Sequence, residues 1–165
     1  MVKREFLLAT LVGVILFISD LLVGWMSFIL GPIPVIFIIA LVIGIIAGNV
    51  GDAVKATFLT WLLGILLGCL LAPVLFADLW SEDVFLPLLP LIIMMWSTRG
   101  MFIGLEFEGN WIEALAVAAG LAILWLVVTP MLYMVSFLVA AIGGIIGTVI
   151  YKRLSDTPTE TIPAY

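Results

Sequence analysis

Long apolar runs that contain no charged side chain constrain this sequence more than any other feature. Four such runs cover residues 21–51, 56–77, 84–98 and 114–151. About 20 apolar residues are enough for a helix to cross the hydrocarbon core of a bilayer, so the last run suffices for two crossings. Only 10% of the residues are charged, whereas soluble domains carry about 25%. The sequence therefore predicts an integral membrane protein surrounded by the lipid bilayer.

Six segments qualify as candidate membrane spans: 6–26, 33–50, 54–76, 84–104, 111–129 and 131–151. The fourth is the weakest, because Pro87 and Pro90 each remove a backbone hydrogen-bond donor. Its strongly apolar core also reaches only about 20 Å as a helix. A re-entrant hairpin or an interfacial helix is therefore an alternative there. The predicted fold is an all-α, polytopic transmembrane helix bundle with six spans, the alternatives being five spans or four plus a re-entrant segment.

The distribution of basic residues favours six spans. Basic residues precede the first span, follow the second, lie near the end of the fourth and follow the last: Lys3, Arg4, Lys55, Arg99, Lys152 and Arg153. With six crossings and a cytoplasmic N-terminus, all six lie on the cytoplasmic side, as the positive-inside bias requires. With five crossings, Arg99 and the last two would move outside. We therefore expect a protein of the cell membrane with both termini in the cytoplasm.

The N-terminus has a basic start and an apolar stretch, as secretory signals do. No small-residue cleavage site follows, so we expect a retained first span. The whole of residues 1–154 is then a single transmembrane domain, and 155–165 is a short polar tail.

The stretch GIIAGNVGDAVK, residues 44–55, interrupts the apolar pattern between the second and third spans. Gly48 or Asn49 can take the left-handed backbone conformation that ends a helix. Asp52 can then cap the next helix by accepting hydrogen bonds from its first amides. The alternative is an anion site at that helix N-terminus. Asp52 would repel an anion, however, and no GxxxxGK[ST] phosphate loop is present, so we expect a turn.

Glycines four residues apart recur in three of the six spans. The pairs are Gly44/Gly48, Gly64/Gly68 and Gly143/Gly147. In lipid, small residues at this spacing allow helix backbones to approach closely. This pattern predicts a tightly packed bundle, or association with another membrane protein or a second copy through the glycine faces.

A weak internal repeat accompanies these glycines. Residues 31–50 resemble residues 130–149, and each follows another span after a proline-containing turn. At a constant offset, Gly44, Gly48 and Val50 coincide with Gly143, Gly147 and Val149. A duplicated helical hairpin would explain the similarity, and so would chance in a sequence of such low complexity.

Asp20 is the strongest candidate for a functional ionisable residue. A charge inside a membrane costs about 3 kcal/mol, so such residues are functional candidates by default. Asp20 lies about one turn before Trp25, in the outer part of the first span. A partly desolvated carboxylate there suits binding of a proton or a cation. The structural alternative is a hydrogen-bonding role at the interface.

A second polar cluster surrounds the predicted cytoplasmic turn RGMFIGLEFEGNWIE. It consists of Arg99, Glu106, Glu108 and Glu113. Pairing of Arg99 with one glutamate would stabilise the turn, and a gate or partner contact is the functional alternative.

Enzymatic chemistry is not expected. The chain has no histidine and a single cysteine, Cys69, and we find no nucleophile–base pair, metal-ligand cluster or cofactor motif. No cofactor and no metal are therefore predicted. The absence of a polybasic patch also argues against a nucleic-acid partner.

The glycine-rich segment within residues 31–70 resembles small integral membrane proteins of unknown function from archaea and bacteria. Six spans in a chain of this length, with a glycine-rich turn after the second, are also similar to the substrate-capture components of energy-coupling-factor vitamin transporters. That resemblance implies a bundle that binds a small solute and docks on an ATP-driven module. It implies no particular site residue.

Two functions follow from these observations. The first is a transport component for a small solute or an ion, because broken helices such as the fourth span often line sites at membrane depth. The alternative is an accessory or scaffold subunit of a larger membrane complex, favoured by the glycine faces and the few polar residues within the spans. A polar cavity near the bilayer midplane would distinguish the two.

Overall fold

The computed structural model describes residues 4–75, 88–99 and 111–155, apart from the side chains of 111–119, 121 and 155. Helices make up nearly all of this part of the chain, and no strand occurs in it. In chain order they are α1 (Arg4–Val23), α2 (Trp25–Leu30), α3 (Val35–Ala47), α4 (Val50–Leu75), α5 (Leu89–Ser97) and α6 (Trp111–Ser155). The predicted all-α helix bundle is confirmed.

Three stretches of helix are long and apolar enough to cross a membrane. They are α1, α4 and the segment Ala122–Leu154 of α6. Their outer faces carry exposed apolar side chains such as Leu11, Leu70 and Leu138, which suits helices in contact with lipid. Helix α3 is apolar but has only 13 residues, or about 20 Å, which is shorter than the hydrocarbon core of about 30 Å.

Helices α1 and α4 run parallel to each other. Gly13 lies against Thr60, and one turn further along both helices Phe17 lies against Gly64. A Cβ atom on Gly64 would approach within 2.6 Å of the Phe17 ring, so the small residue is what allows this aromatic side chain to fit. The bundle interior between these helices is therefore filled by one large side chain opposite one glycine.

Helix α3 runs antiparallel to α1, since Ala47 at the end of α3 lines a cavity with Glu5 from the first turn of α1. Tyr151, near the end of α6, lines the same cavity. We call this end of the molecule the N-terminal end. The opposite end contains Gly24, which follows α1, and Leu75, which ends α4.

Helix α3 and the last third of α6 run parallel and touch through glycines. A Cβ atom on Gly44 would lie 2.8 Å from the Cα of Gly143, and one on Gly147 would lie 2.9 Å from the Cα of Gly48. Real Cβ contacts essentially never become that short. The hydroxyl of Thr148 also donates to the carbonyl oxygen of Gly48 at 2.8 Å. Backbone-to-backbone packing therefore joins these two helices.

The structure corrects the prediction of a turn between spans at residues 129–131. Helix α6 is continuous over 45 residues and contains Pro130. Proline removes a backbone donor, but no glycine, asparagine or aspartate flanks it here to form a turn. Prolines inside membrane helices are tolerated because neighbouring groups satisfy the freed backbone. The described residues thus contain three stretches of helix of crossing length, and the fifth and sixth predicted spans lie in one continuous helix.

The fourth predicted span, residues 84–104, is described in part. Its helix α5 has nine residues, about 13 Å, which is too short to cross a bilayer. Ile93 packs on Gly68, and Arg99 lies beside Gly24, so the described part stays in the opposite half of the bundle. The re-entrant or interfacial alternative fits this placement better than a full span. The rest of the segment lies outside the described residues.

Arg99 consequently lies beside Gly24, at the opposite end of the bundle from the other described basic residues. Arg4 and Lys55 lie near the starts of α1 and α4, and Lys152 and Arg153 lie in the last turn of α6, all towards the N-terminal end. The predicted grouping of all basic residues on one side is therefore wrong for Arg99. The reason is that α5 is too short to bring Arg99 back across the bundle.

Candidate functional site

A break between α1 and α2 organises the polar groups at the opposite end. Gly24 separates the two helices and has φ +74°, a left-handed conformation that favours glycine. Its own amide donates to the carbonyl oxygen of Asp20 at 2.7 Å. A break of this kind leaves carbonyl oxygens of the first helix and amides of the second without partners in their own helix. The first predicted span, 6–26, therefore ends earlier than expected, at Val23.

The Asp20 carboxylate satisfies the start of α2. Its Oδ1 accepts the backbone amide of Ser27 at 2.9 Å, and its Oδ2 accepts the Ser27 hydroxyl at 2.7 Å. Asp20 is only 2% exposed. A carboxylate at a helix N-terminus is also favoured by the helix dipole. Asp20 thus caps α2 from the preceding helix, since Gly24 has no side chain to do so.

The Arg99 guanidinium satisfies the end of α1. Its Nη2 donates to the Asp20 carbonyl oxygen at 2.7 Å, and its Nη1 donates to the Trp96 carbonyl oxygen at 3.0 Å. The guanidinium carbon lies 5.0 Å from the centre of the Trp96 ring, within the range of a cation–π contact. A Cβ atom on Gly24 would lie 2.7 Å from Nη2. Gly24 is therefore required both by its conformation and by the space that Arg99 occupies.

The structure thus brings together two predicted site residues that are 79 positions apart. The predicted partners of Arg99 are different: Glu106 and Glu108 lie outside the described residues, and the side chain of Glu113 is not described. The pairing of Arg99 with one of them stays a prediction.

Beside Arg99, hydroxyl and indole groups form two hydrogen-bonded groups that meet at the chain neighbours Ser97 and Thr98, and we call the two together the polar layer. All of its side chains are buried except that of Trp125, which is half-buried. Its members are Trp61, Ser97, Thr98, Trp125, Thr129, Tyr133 and Ser136. The Ser97 and Tyr133 hydroxyls lie 2.8 Å apart, and Trp61 donates its indole N–H to Ser136 at 2.9 Å. Ser136 in turn donates to the Tyr133 carbonyl oxygen at 2.6 Å. The set joins α4, α5 and α6.

The other branch of the polar layer begins at Thr98. Its hydroxyl accepts the Trp125 indole N–H at 2.7 Å and lies 3.3 Å from the Thr129 hydroxyl. The polar layer lies within spans for which the sequence predicted few polar residues. Thr129, Tyr133 and Ser136 recur at helical spacing on one face of α6, and that pattern would have indicated a buried polar face.

The turn after α3 is close to its prediction. Gly48 has φ +70°, and its amide donates to the Gly44 carbonyl oxygen, so Gly48 is the residue that ends α3. The cap of α4 differs from the expectation: the Asn49 side chain accepts the Asp52 amide at 2.8 Å and donates to the Asp52 carboxylate at 2.7 Å. Asn49 is therefore the residue that caps α4. Asp52, the third residue of α4, holds the Asn49 side chain in place by accepting its amide.

The three predicted glycine pairs all face other parts of the same chain. Gly44 and Gly48 meet α6 as described above, and a Cβ atom on Gly68 would lie 2.7 Å from Ile93. These contacts use the faces that were expected to serve for packing or association. Association with another protein through the same glycines stays a prediction.

Three cavities lined by described residues lie on the surface of the bundle. One is at the N-terminal end, the second follows the exposed face of α1, and the third is an apolar groove beside Phe58 and Phe137. None of these three is lined by Asp20 or by a member of the polar layer. Among the described residues, no group of three or more Cys, Asp or Glu side chains is placed to hold a metal ion.

The fold and the site define an all-helical bundle with a break after its first helix and with three stretches of helix long and apolar enough to cross a membrane. The chain matches no protein-family model, no curated protein and no solved structure. The predicted resemblances to glycine-rich membrane proteins and to substrate-capture components therefore stay predictions.

Proposed function

We propose that this protein is a non-enzymatic transport component that moves an ion or a small solute across the cell membrane. The observation that carries the proposal is the break at Gly24, where Asp20 faces the start of one helix and Arg99 the end of another. Discontinuous helices with polar groups at the break form the binding sites of many transporters. The reason is that helix ends offer unpaired donors and acceptors to the transported species.

The charges at this break exceed what capping requires. Asparagine or serine caps a helix as well as aspartate does, and each charge in a membrane span costs about 3 kcal/mol. An aspartate and an arginine at one break therefore favour a role in binding or moving charge over a purely structural role.

The polar layer supports the same proposal by placing polar groups inside the bundle, although none of the three surface cavities described above reaches them. Hydroxyl groups both donate and accept hydrogen bonds, so this set can exchange partners with a proton, an ion or a polar solute. It begins next to Arg99 and extends to Trp61, near the middle of α4. Thr57, one turn before Trp61, has a fully buried hydroxyl without a hydrogen-bond partner among the described residues. That hydroxyl leaves a donor and an acceptor available inside the bundle.

We also propose that the N-terminal end lies in the cytoplasm. Lys55, Lys152 and Arg153 lie towards that end, and positive residues prefer the cytoplasmic side of a membrane. The break at Gly24 then lies in the outer half of the bundle, where an external ion or solute reaches it first.

Flux measurements on purified protein in lipid vesicles test the proposal. Vesicles with an internal fluorescent reporter receive gradients of H⁺, Na⁺ or K⁺, and the parent protein is compared with Asp20→Asn and Asp52→Asn. Both substitutions remove one negative charge, but Asp52 lies at the N-terminal end, away from the break. We expect flux of at least one of these ions with the parent and with Asp52→Asn, and a loss of about tenfold or more with Asp20→Asn, which corresponds to about 1.4 kcal/mol.

Equal flux through the parent and Asp20→Asn would overturn the assignment of this site. Vesicles no more permeable than protein-free vesicles to all three ions would remove ion transport. Unchanged elution and melting temperature of Asp20→Asn exclude misfolding as the cause of any loss.

A further inference from the structure

We propose that the cavity at the N-terminal end binds an ammonium group, and that the amine headgroup of a lipid is its natural source. The described residues that line it are Glu5, Ala47, Gly48, Asn49 and Tyr151. Its volume is about 340 Å³, which suits an organic group rather than a bare metal ion. The cavity lies far from the break at Gly24, so this inference does not depend on the transport function.

The charge of the cavity favours a cation. Glu5 is exposed and is the charged residue among the described lining residues. The cavity lies at the end of α3, the negative end of its helix dipole, and also at the starts of α1 and α4, the positive ends of theirs. The preference for a cation therefore rests on Glu5. The Ile46 carbonyl oxygen accepts the Tyr151 hydroxyl at 3.0 Å, and the Gly48 carbonyl oxygen accepts Thr148 at 2.8 Å. Each carbonyl oxygen retains a second lone pair.

The aromatic wall favours an ammonium group over other cations. Tyr151 packs against Gly48 so closely that a Cβ atom there would lie 2.6 Å from the ring. Its hydroxyl is held by Ile46, so the ring orientation is fixed, yet the side chain remains 44% exposed. The faces of aromatic rings attract organic ammonium groups, and several rings together can form a cage around one. In this cavity, one fixed ring and one carboxylate would hold the ammonium group.

A neighbouring groove indicates that the ammonium group belongs to a lipid. Arg4 and Glu5 line this groove together with Leu7, Leu8 and Leu11, and its volume is about 520 Å³. The three leucine side chains are more than half exposed. Glu5 lines both cavities, so an apolar chain along the leucines would place a phosphate near Arg4 and an amine near Glu5. A zwitterionic headgroup matches this order of charges.

The test measures which lipid the purified protein retains. The parent, Glu5→Gln and Glu113→Gln are each incubated in detergent with phosphatidylethanolamine and phosphatidylglycerol that carry the same acyl chains, and bound lipids are counted by native mass spectrometry. Glu113 is the charge-matched control, because it lies in the first turn of α6, whereas the cavity lies at the other end of that helix. We expect the parent and Glu113→Gln to prefer phosphatidylethanolamine by about tenfold or more, because the ammonium group gains a charge-assisted contact with Glu5. Glu5→Gln should lose that preference.

A second arm separates the lipid from a free cation. Free ethanolamine is added at increasing concentration to the parent with bound phosphatidylethanolamine. Displacement would assign recognition to the ammonium group alone, and resistance would assign it to the whole lipid; both outcomes support the site.

Equal retention of the two lipids by the parent, or an unchanged preference in Glu5→Gln, would overturn the proposal. Glu5 also lies in the first turn of α1, where a negative charge stabilises the helix. If that were its whole role, Glu5→Gln would lower the melting temperature without lipid and leave the lipid preference intact. The two readouts therefore distinguish a binding residue from a purely structural one.

Discussion

Gly44 in α3 and Gly143 in α6 contact each other reciprocally. A Cβ atom on Gly44 would lie 2.8 Å from the Cα of Gly143, and a Cβ atom on Gly143 would lie 3.0 Å from the Cα of Gly44. One turn later, a Cβ atom on Gly147 would lie 2.9 Å from the Cα of Gly48, whereas one on Gly48 would meet the Tyr151 ring at 2.6 Å. The two parallel helices are therefore paired in the register at which residues 31–50 resemble residues 130–149. This is the arrangement of a symmetric dimer of small-residue helices, here within one chain. The similarity extends to the helices α3 and α6 themselves but not to a second hairpin, because α6 is continuous through Pro130.

A bulky residue at this contact should separate α3 from α6. We expect Gly44→Leu to destabilise the protein by about 3 kcal/mol or more, because overpacking without room to relax displaces backbone. Thermal unfolding in detergent measures the effect. Gly120→Leu is the matched control, since a Cβ atom there has nothing within 4 Å. Equal effects of the two substitutions would show that the glycine contact does not hold the bundle together.

Gly24 should not tolerate a side chain, for two separate reasons. Its left-handed conformation, with φ 74° and ψ 16°, costs alanine about 1–2 kcal/mol, and a Cβ atom there would lie 2.7 Å from Nη2 of Arg99. We therefore expect Gly24→Ala to lower the melting temperature more in the parent than in an Arg99→Ala background, where only the backbone strain remains. Equal losses in the two backgrounds would mean that Arg99 does not occupy the space beside Gly24.

The turn between α3 and α4 should depend on Asn49 more than on the charge of Asp52. Asn49→Ala removes the side chain that accepts the Asp52 amide, and loss of such a cap costs about 1 kcal/mol. Asp52→Asn keeps an acceptor for the Asn49 amide group, so we expect a smaller effect. Chemical denaturation of both variants tests this order, and a larger loss for Asp52→Asn would contradict it.

Arg99 and Lys55 should be labelled from opposite sides of the membrane. In a Cys69→Ser background, single cysteines at positions 99, 33 and 55 are exposed to an impermeant thiol reagent added outside cells. Ile33 lies in the exposed turn between α2 and α3 and is the control for the opposite end. We expect positions 33 and 99 to react alike and position 55 to be protected. Matching behaviour of positions 55 and 99 would restore the predicted full fourth span.

Local patterns in the sequence determined the main helices and the turn after α3. Apolar segments of about 20 residues predicted α1 and α4, because a helix in lipid satisfies its own backbone and needs mainly apolar side chains. Gly48, Asn49 and Asp52 lie within five residues of one another, and a helix end depends on such neighbours. For the same reason, the glycine pairs indicated which helix faces would pack closely.

Only the tertiary structure decided which distant residues meet. Asp20 and Arg99 come together because α5 is short and stays in one half of the bundle, and no local pattern encodes that distance. Pro130 looks like a helix end in the sequence, yet α6 continues through it. A membrane helix tolerates proline where neighbouring groups satisfy the freed backbone, and those neighbours are set by the tertiary structure. The residues next to each other in the sequence predict local hydrogen bonds such as helix caps. The contact between Asp20 and Arg99 and the continuity of α6 depend instead on packing between helices that are far apart in sequence.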